Sequence, residues 1–321
     1  MITLETVYVV AGIMFAAFAV LSAKDRTNAR RFGNAAFWGL LAASFLFGSH
    51  IGDLANGVLV SGLILIGGCG FLGRGQSAEI DFAQRSASAA RHGNRLFVPA
   101  LIIPATALLG TLLLKNATVA GAALVDPKQV TVISLALGVV IALAVAVLWL
   151  RPRAVVPLQE GRRLIDAIGW AAVLPQMLAS LGAIFALAGV GRAVGTLATQ
   201  YIPLDQPLVV VAVYCVGMAA FTAVMGNAFA AFPVMTAAVG LPLIVQKFGG
   251  NPAIMASIGM LSGFCGTLVT PMAANFNIVP AALLDLDRNA VIRAQLPTAT
   301  LLLPVNIILM SLLVFTFGAH R

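Results

Sequence analysis

MGNAF, residues Met225 to Phe229, and VTPMAANFN, residues Val269 to Asn277, interrupt sequence that is otherwise apolar over long stretches. The first lies between Leu208–Val224 and Ala228–Val245; the second cuts a run that begins at Ala253 and resumes at Ile278. A bilayer offers backbone N–H and C=O groups no water, so irregular backbone at depth survives only where protein or a polar cavity satisfies it. Two such breaks within Gln206–Leu284 predict helices opened around a polar solute.

Composition identifies the solvent. Of 321 residues, 60% are hydrophobic and 9% charged, and the mean hydropathy is +1.01; soluble domains carry roughly a quarter charged residues. Apolar runs of about 20 residues indicate helices, not the alternating ten-residue segments of an outer-membrane barrel. The sequence therefore predicts an all-α integral membrane protein with about eight transmembrane helices, a re-entrant helical hairpin at 206–245 and one broken helix at 253–284.

Spans are expected at Thr6–Leu21, Ala35–Gly48, Leu54–Leu72, Phe97–Leu114, Val130–Leu150 and Leu164–Ala188, with a last one at 297–317. This divides the chain into a five-span N-terminal region, 1–163, and a transport-core region, 164–321. The segment 74–95 is polar and Ser/Ala-rich, and reads as a cytoplasmic linker containing a short helix. Gly191–Pro203 is weakly amphipathic and is expected along the outer interface.

The net charge of +8 belongs to topology, since nothing shows the aromatic–basic interleaving of a nucleic-acid surface. With segments 24–31, 74–95, 151–163 and 286–295 on the cytoplasmic side, 14 of the 19 Lys and Arg residues lie there. Lys115, Lys128, Arg192, Lys247 and Arg321 fall opposite. Such a bias fixes one orientation, here with both termini outside. Residues 1–26 read as an uncleaved first helix, because Glu5 precedes the apolar run and the basic residues follow it.

Each break offers chemistry. Gly226 and Asn227 tolerate conformations that a helix interior disfavours, and Asn227 adds an amide with donors and acceptors. A helix starting there presents free N–H groups and a positive dipole end, which suit a carboxylate. At the second break Pro271 removes a helix hydrogen bond, while Thr270, Asn275 and Asn277 supply polar groups around the freed carbonyls. A substrate site is thus expected from Gly226, Asn227, Thr270, Pro271, Asn275 and Asn277. The competing reading is a structural or assembly subunit in which the breaks serve packing alone.

Other residues suggest less. Gln176, beside Pro175, suits either the cavity or an interhelical hydrogen bond, and Gly191/Gly195 and Gly259/Gly263 have close-packing spacing. Cys69, Cys215 and Cys265 form no disulfide or metal pattern. His50, His92 and His320 do not cluster, so no metal site is expected. Ser180 and Ser262 lack a His or carboxylate at comparable depth, so no enzyme chemistry is expected. All eleven acidic residues fall in loops or near span ends, which leaves the choice of coupling ion, Na+ or H+, open.

At the two breaks the sequence resembles the ion-transporter superfamily of organic-anion carriers. There a hairpin tip of Ser-Asn-Thr character precedes a helix unwound at Thr-Pro followed by Asn. MGNAFAAFPVMTAAVGLP resembles the first element, with Gly226 and Ala228 where Ser and Thr stand in the pattern. GTLVTPMAANFNIVP resembles the second at Thr270, Pro271 and Asn275. Over nearly the whole length, including RFGNAAFWGLLAASFLFG and GNRLFVPALIIP, the chain resembles a bacterial family once listed as a domain of unknown function. That family is described as one subunit of a 5-oxoproline transporter, encoded beside a smaller membrane protein. The resemblance implies a small-carboxylate substrate and a second membrane subunit. The missing Ser and Thr count against a sodium ion bound at the tip.

Carriers of this kind are built from two inverted repeats, each with a broken element. This chain has its hairpin and its polar break in the second half, whereas Pro104 in the first half has no amide or acidic company. The other half of the site is expected from another polypeptide.

Overall fold

The computed structural model describes residues 1–75, 82–115, 117–119, 122–153 and 155–317. The chain divides into two compact units, Met1–Trp170 and Ala171–Arg321. Eight segments of the described residues are helical, long and apolar enough to cross a membrane: Leu4–Lys24, Ser86–Leu113, Val130–Leu150, Val156–Leu187, Pro207–Met225, Ala228–Lys247, Pro252–Val269 and Asn289–Leu313. The protein is an all-α, multi-pass integral membrane protein.

The first unit contains α1 (Leu4–Lys24), α2 (Arg31–Phe47), α3 (Gly52–Gly68), α4 (Phe82–His92), α5 (Phe97–Leu113), α6 (Val130–Leu150) and α7 (Val156–Ile168). A two-residue antiparallel pair, β1 (Thr118–Val119) and β2 (Ala122–Ala123), lies in the α5–α6 connection. Phe37 and Trp38 are fully buried, and Phe15 stacks on Trp38 with ring centroids 6.0 Å apart. Of the expected linker 74–95, residues 76–81, including Glu79 and Asp81, lie outside the described residues, as do His320 and Arg321; Phe82–His92 is helical.

Polar bonds tie the end of this unit together. Arg162 lies 2.6 Å from Asp25 and 3.3 Å from Asp166, and Trp38 Nε1 donates to Asp166 at 2.7 Å. These bonds fasten α7 to the α1–α2 region, which is why the division falls after Trp170 and not at residue 163. The expected single span Leu164–Ala188 falls within the candidate span Val156–Leu187, whose α-helix breaks where α7 ends at Ile168 and Gly169 takes φ +58. The segment after α3 is strapped down as well. Asn34 Nδ2 donates to Gly73 O at 2.8 Å and Gly73 N–H returns a bond to Asn34 Oδ1 at 2.9 Å.

The second unit contains α8 (Leu174–Leu187), α9 (Val190–Tyr201), α10 (Pro207–Met225), α11 (Ala228–Met235), α12 (Pro252–Val269), α13 (Val279–Leu283) and α14 (Arg288–Leu313). After α11 the helix continues in π form over Thr236–Lys247. The helices α10 and α11 form a hairpin around Gly226–Asn227: Tyr214 OH lies 3.3 Å from Thr236 Oγ1. The open end is closed by Lys247 Nζ, 3.0 Å from Leu204 O and 3.3 Å from Asp205.

Between helices in lipid there is little hydrophobic driving force, so close packing and internal hydrogen bonds must hold them. Val210, Tyr214, Met218, Met235, Val239, Met255 and Met310 form the buried centre. Gly266 lets α12 approach the backbone oxygen of Ala219 on α10. Gly191 and Gly195 do the same for α9, where a Cβ would lie 2.9 Å from Val234 O or Ala238 O. Their four-residue spacing thus serves packing against the hairpin. Asn251 caps α12 through bonds to Ala253 and Ile254 N–H at 2.9 and 3.2 Å, and its Nδ2 donates to Phe317 O at 2.8 Å.

Candidate functional site

The hairpin tip is built by two residues in succession. Gly226 ends α10 at φ +78, a left-handed conformation that glycine adopts without a Cβ penalty. Asn227 is extended, and its Oδ1 accepts the Phe229 N–H at 2.8 Å, the standard satisfaction of a first-turn donor. Its Nδ2 donates to Pro175 O at 3.4 Å, which ties the tip to the start of α8. The α11 N-terminus therefore starts at the tip, as the MGNAF stretch implied.

The second break is held from below by one side chain. Thr270 ends α12 in an extended conformation, and Pro271 has no N–H to continue the ladder. Asn277 is fully buried. Its Nδ2 faces Thr270 O at 2.7 Å, Thr267 O at 3.1 Å and Leu268 O at 3.4 Å, the carbonyls that lose their partners where the helix stops. The chain then re-enters as a π-helical turn, Ala274–Ile278. Gln295 of α14 supports that turn, donating to Phe276 O at 3.1 Å.

The two breaks meet. A Cβ at position 226 would lie 2.8 Å from Met272 Cβ, so the tip backbone rests directly on the unwound segment. Beside this contact is a hollow of about 330 Å³, open mouth included, lined by Pro175, Leu178, Gly226–Phe229, Phe264, Thr267 and Ala274–Phe276. Of the expected residues, Gly226, Asn227 and Asn275 line it. Thr270 and Asn277 are buried in the scaffold beneath, and Pro271 is exposed beside Met272. Gln176 is exposed and does not line the hollow, although its neighbour Pro175 does.

Sequence reasoning missed Thr267, Phe229, Phe264, Phe276 and Gln295. Phe229 and Phe276 lie inside the two quoted breaks, and the i, i+3 spacing of Phe264 and Thr267 puts both on one face of α12. Thr267 Oγ1 is bonded back to Gly263 O at 3.2 Å. Among the described residues, no charged side chain lines the hollow and no group of three or more His, Cys, Asp or Glu that could hold a metal occurs. What it offers a solute is amide groups, a helix N-terminus and aromatic rings at 5.9 to 6.5 Å centroid spacing between Phe264 and its two neighbours. The amides and the helix N-terminus supply hydrogen-bond donors for a small polar molecule, and the rings supply an apolar wall.

A family model described as protein of unknown function (DUF979) matches residues 5–315. The chain belongs to that family. No curated protein and no solved structure matches it.

Proposed function

We propose that this member of the DUF979 family is a membrane subunit of a secondary transporter for a small carboxylate of the 5-oxoproline type. The observation that carries this reading is the contact of the Gly226 tip with the Met272 segment beside one amide- and aromatic-lined hollow. Two helices interrupted at a common point expose polar backbone where a membrane protein otherwise hides it. Asn227 and Asn275 offer amide groups to the carboxylate and the α11 N-terminus offers its dipole, while Phe264 and Phe276 cover the apolar part. The sequence resemblance to 5-oxoproline transporter subunits supplies the substrate class.

The same reading includes a second, smaller membrane subunit. One hairpin and one break make half of an inverted-repeat site. A copy of this chain inserted upside down could supply the other half, but the bias of 14 basic residues against 5 opposes dual insertion. The complex sits in the bacterial inner membrane with this chain's termini outside, and it couples uptake to Na+ or H+.

The test is uptake of labelled 5-oxoproline into liposomes containing this chain alone or with the neighbouring membrane protein. Uptake only in the pair, lost in Asn227→Ala and Asn275→Ala, supports the reading. Normal uptake by both variants in the pair removes the site, and full saturable uptake by this chain alone removes the second subunit.

A further inference from the structure

The helices α5 and α6 pair antiparallel. A Cβ at Gly138 would lie 2.9 Å from Ile103 O, and one at Gly110 would meet the Ser134 side chain. This register brings the residues just before α5 beside those just after α6. The ring of His92 confirms it, lying edge-on to Trp149 with centroids 5.4 Å apart. Four arginines therefore gather at one end of the pair: Arg91 and Arg95 from the α4–α5 junction, Arg151 and Arg153 beyond α6.

All four are exposed, and none of their guanidinium groups has a hydrogen bond or ion pair with any described residue. The contrast with Arg162 and Arg163 is plain, since those pair with Asp25, Asp166 and Glu160. The helices they cap are strongly lipid-like. Gly110 is the one buried residue of α5, and Leu101, Leu108, Leu109, Leu112 and Leu113 are all exposed. A tryptophan beside arginines at the end of two apolar helices marks the headgroup level of a bilayer.

We infer that the Arg91, Arg95, Arg151 and Arg153 cluster is a binding surface for anionic phospholipid headgroups of the surrounding membrane. Guanidinium groups give forked hydrogen bonds to phosphate oxygens, and juxtamembrane basic residues each add attraction to an anionic leaflet. The aliphatic stems and Trp149 lie against the glycerol and upper acyl region, as long basic side chains do at an interface. Orientation alone needs basic residues on one side of the membrane. It does not require four unpaired guanidiniums to converge on one helix end beside an aromatic ring.

Trp149 reports on the site directly. The full chain is reconstituted in bilayers that mix ordinary phosphatidylcholine with brominated phosphatidylcholine or brominated phosphatidylglycerol. The Trp149 signal is the quenching difference between the wild type and Trp149→Phe. Preferential quenching by the anionic lipid, about fivefold in relative binding constant for even one effective arginine and weaker at high salt, is expected. The preference should vanish in R91Q/R95Q/R151Q/R153Q and survive when the same four become lysine. Equal quenching by both lipids in the wild type overturns the inference without reference to any variant. So does a preference that the glutamine variant retains, or one displaced by free inorganic phosphate.

Discussion

Gly226 and Met272 touch backbone to side chain, with a Cβ at 226 placed only 2.8 Å from Met272 Cβ and 3.2 Å from Met272 O. One contact thus joins the hairpin tip to the unwound end of α12. Gly226 also holds φ +78, so it meets two demands that only glycine satisfies together. Gly226→Ala should cost about 1–2 kcal/mol for the left-handed backbone alone, and more for the displaced Met272. The expected outcome is a lower unfolding temperature in detergent and loss of uptake. Uptake at the wild-type rate would mean that the tip and the break move apart without consequence.

Asn277 and Asn275 lie two residues apart and should behave in opposite ways. Asn277 is buried and feeds one NH2 to three carbonyls. Asn277→Ala strands those groups, at about 1–3 kcal/mol for an unsatisfied buried polar group. Asn275 is exposed on the hollow, with no side-chain hydrogen bond to any described residue. Asn275→Ala should leave the melting temperature within a degree or so of wild type, by the small-effect rule for exposed sites, while weakening substrate binding. Thermal melts and equilibrium binding on both variants check the pair. Equal melting losses would place Asn275 in the scaffold as well.

This division of labour marks the limit of the sequence. The breaks at Gly226–Asn227 and Thr270–Asn277 were legible, because polar residues and proline at membrane depth are costly unless a partner or a solute satisfies them. Which amide lines the hollow was not, since Asn275 and Asn277 carry the same group and differ only in which side of a π-helical turn they leave. Phe264 and Thr267 were hidden for another reason: their spacing puts them on one face of α12, but in an apolar helix it does not tell a lining face from a lipid-facing one. The interruption at Gly169 was missed because Leu164–Ala188 is hydrophobic enough to read as a single span. The bonds from Asp166 to Trp38 and Arg162, distant in sequence or hidden in a charged helix, account for α7 closing the first unit.

The Asp25–Arg162 pair makes that unit sensitive to acid. Burial raises the Asp25 carboxyl, but hydrogen bonds from Thr27 and Arg162 and the guanidinium charge outweigh it and hold the group below its ordinary value of 3.8. A depressed folded value means stability that is present above the unfolded value and lost as pH falls through the folded one. The melting difference between wild type and Asp25→Asn should therefore be constant from pH 8 to about 5 and close below about pH 4. Its size should be about 1 kcal/mol, the scale for a partly exposed pair. A difference that grows on acidification would show that Asp25 does not stabilise as a carboxylate.

The contact between Asn306 and Cys265 tests whether the second unit moves as one body. Asn306 Nδ2 lies 3.6 Å from Cys265 Sγ, so α14 and α12 touch at their centres. Both helices also pack on α10, where Cys215 Sγ is 3.9 Å from Met310 Sδ. A carrier that moves its site across the membrane must slide it along some interface. If that interface were α12 against α14, the Cys265–Asn306 contact would break in every cycle. The tight shared core of Tyr214, Met218, Met255 and Met310 instead favours α10, α12 and α14 travelling together, because packed cores do not deform continuously. Asn306→Cys should form a disulfide with Cys265 under a mild oxidant, read as an intramolecular link on a gel after proteolysis. Uptake by the complex should persist when the link is closed and be unchanged on reduction. Uptake that stops on oxidation and returns with reductant would place the sliding surface between these two helices.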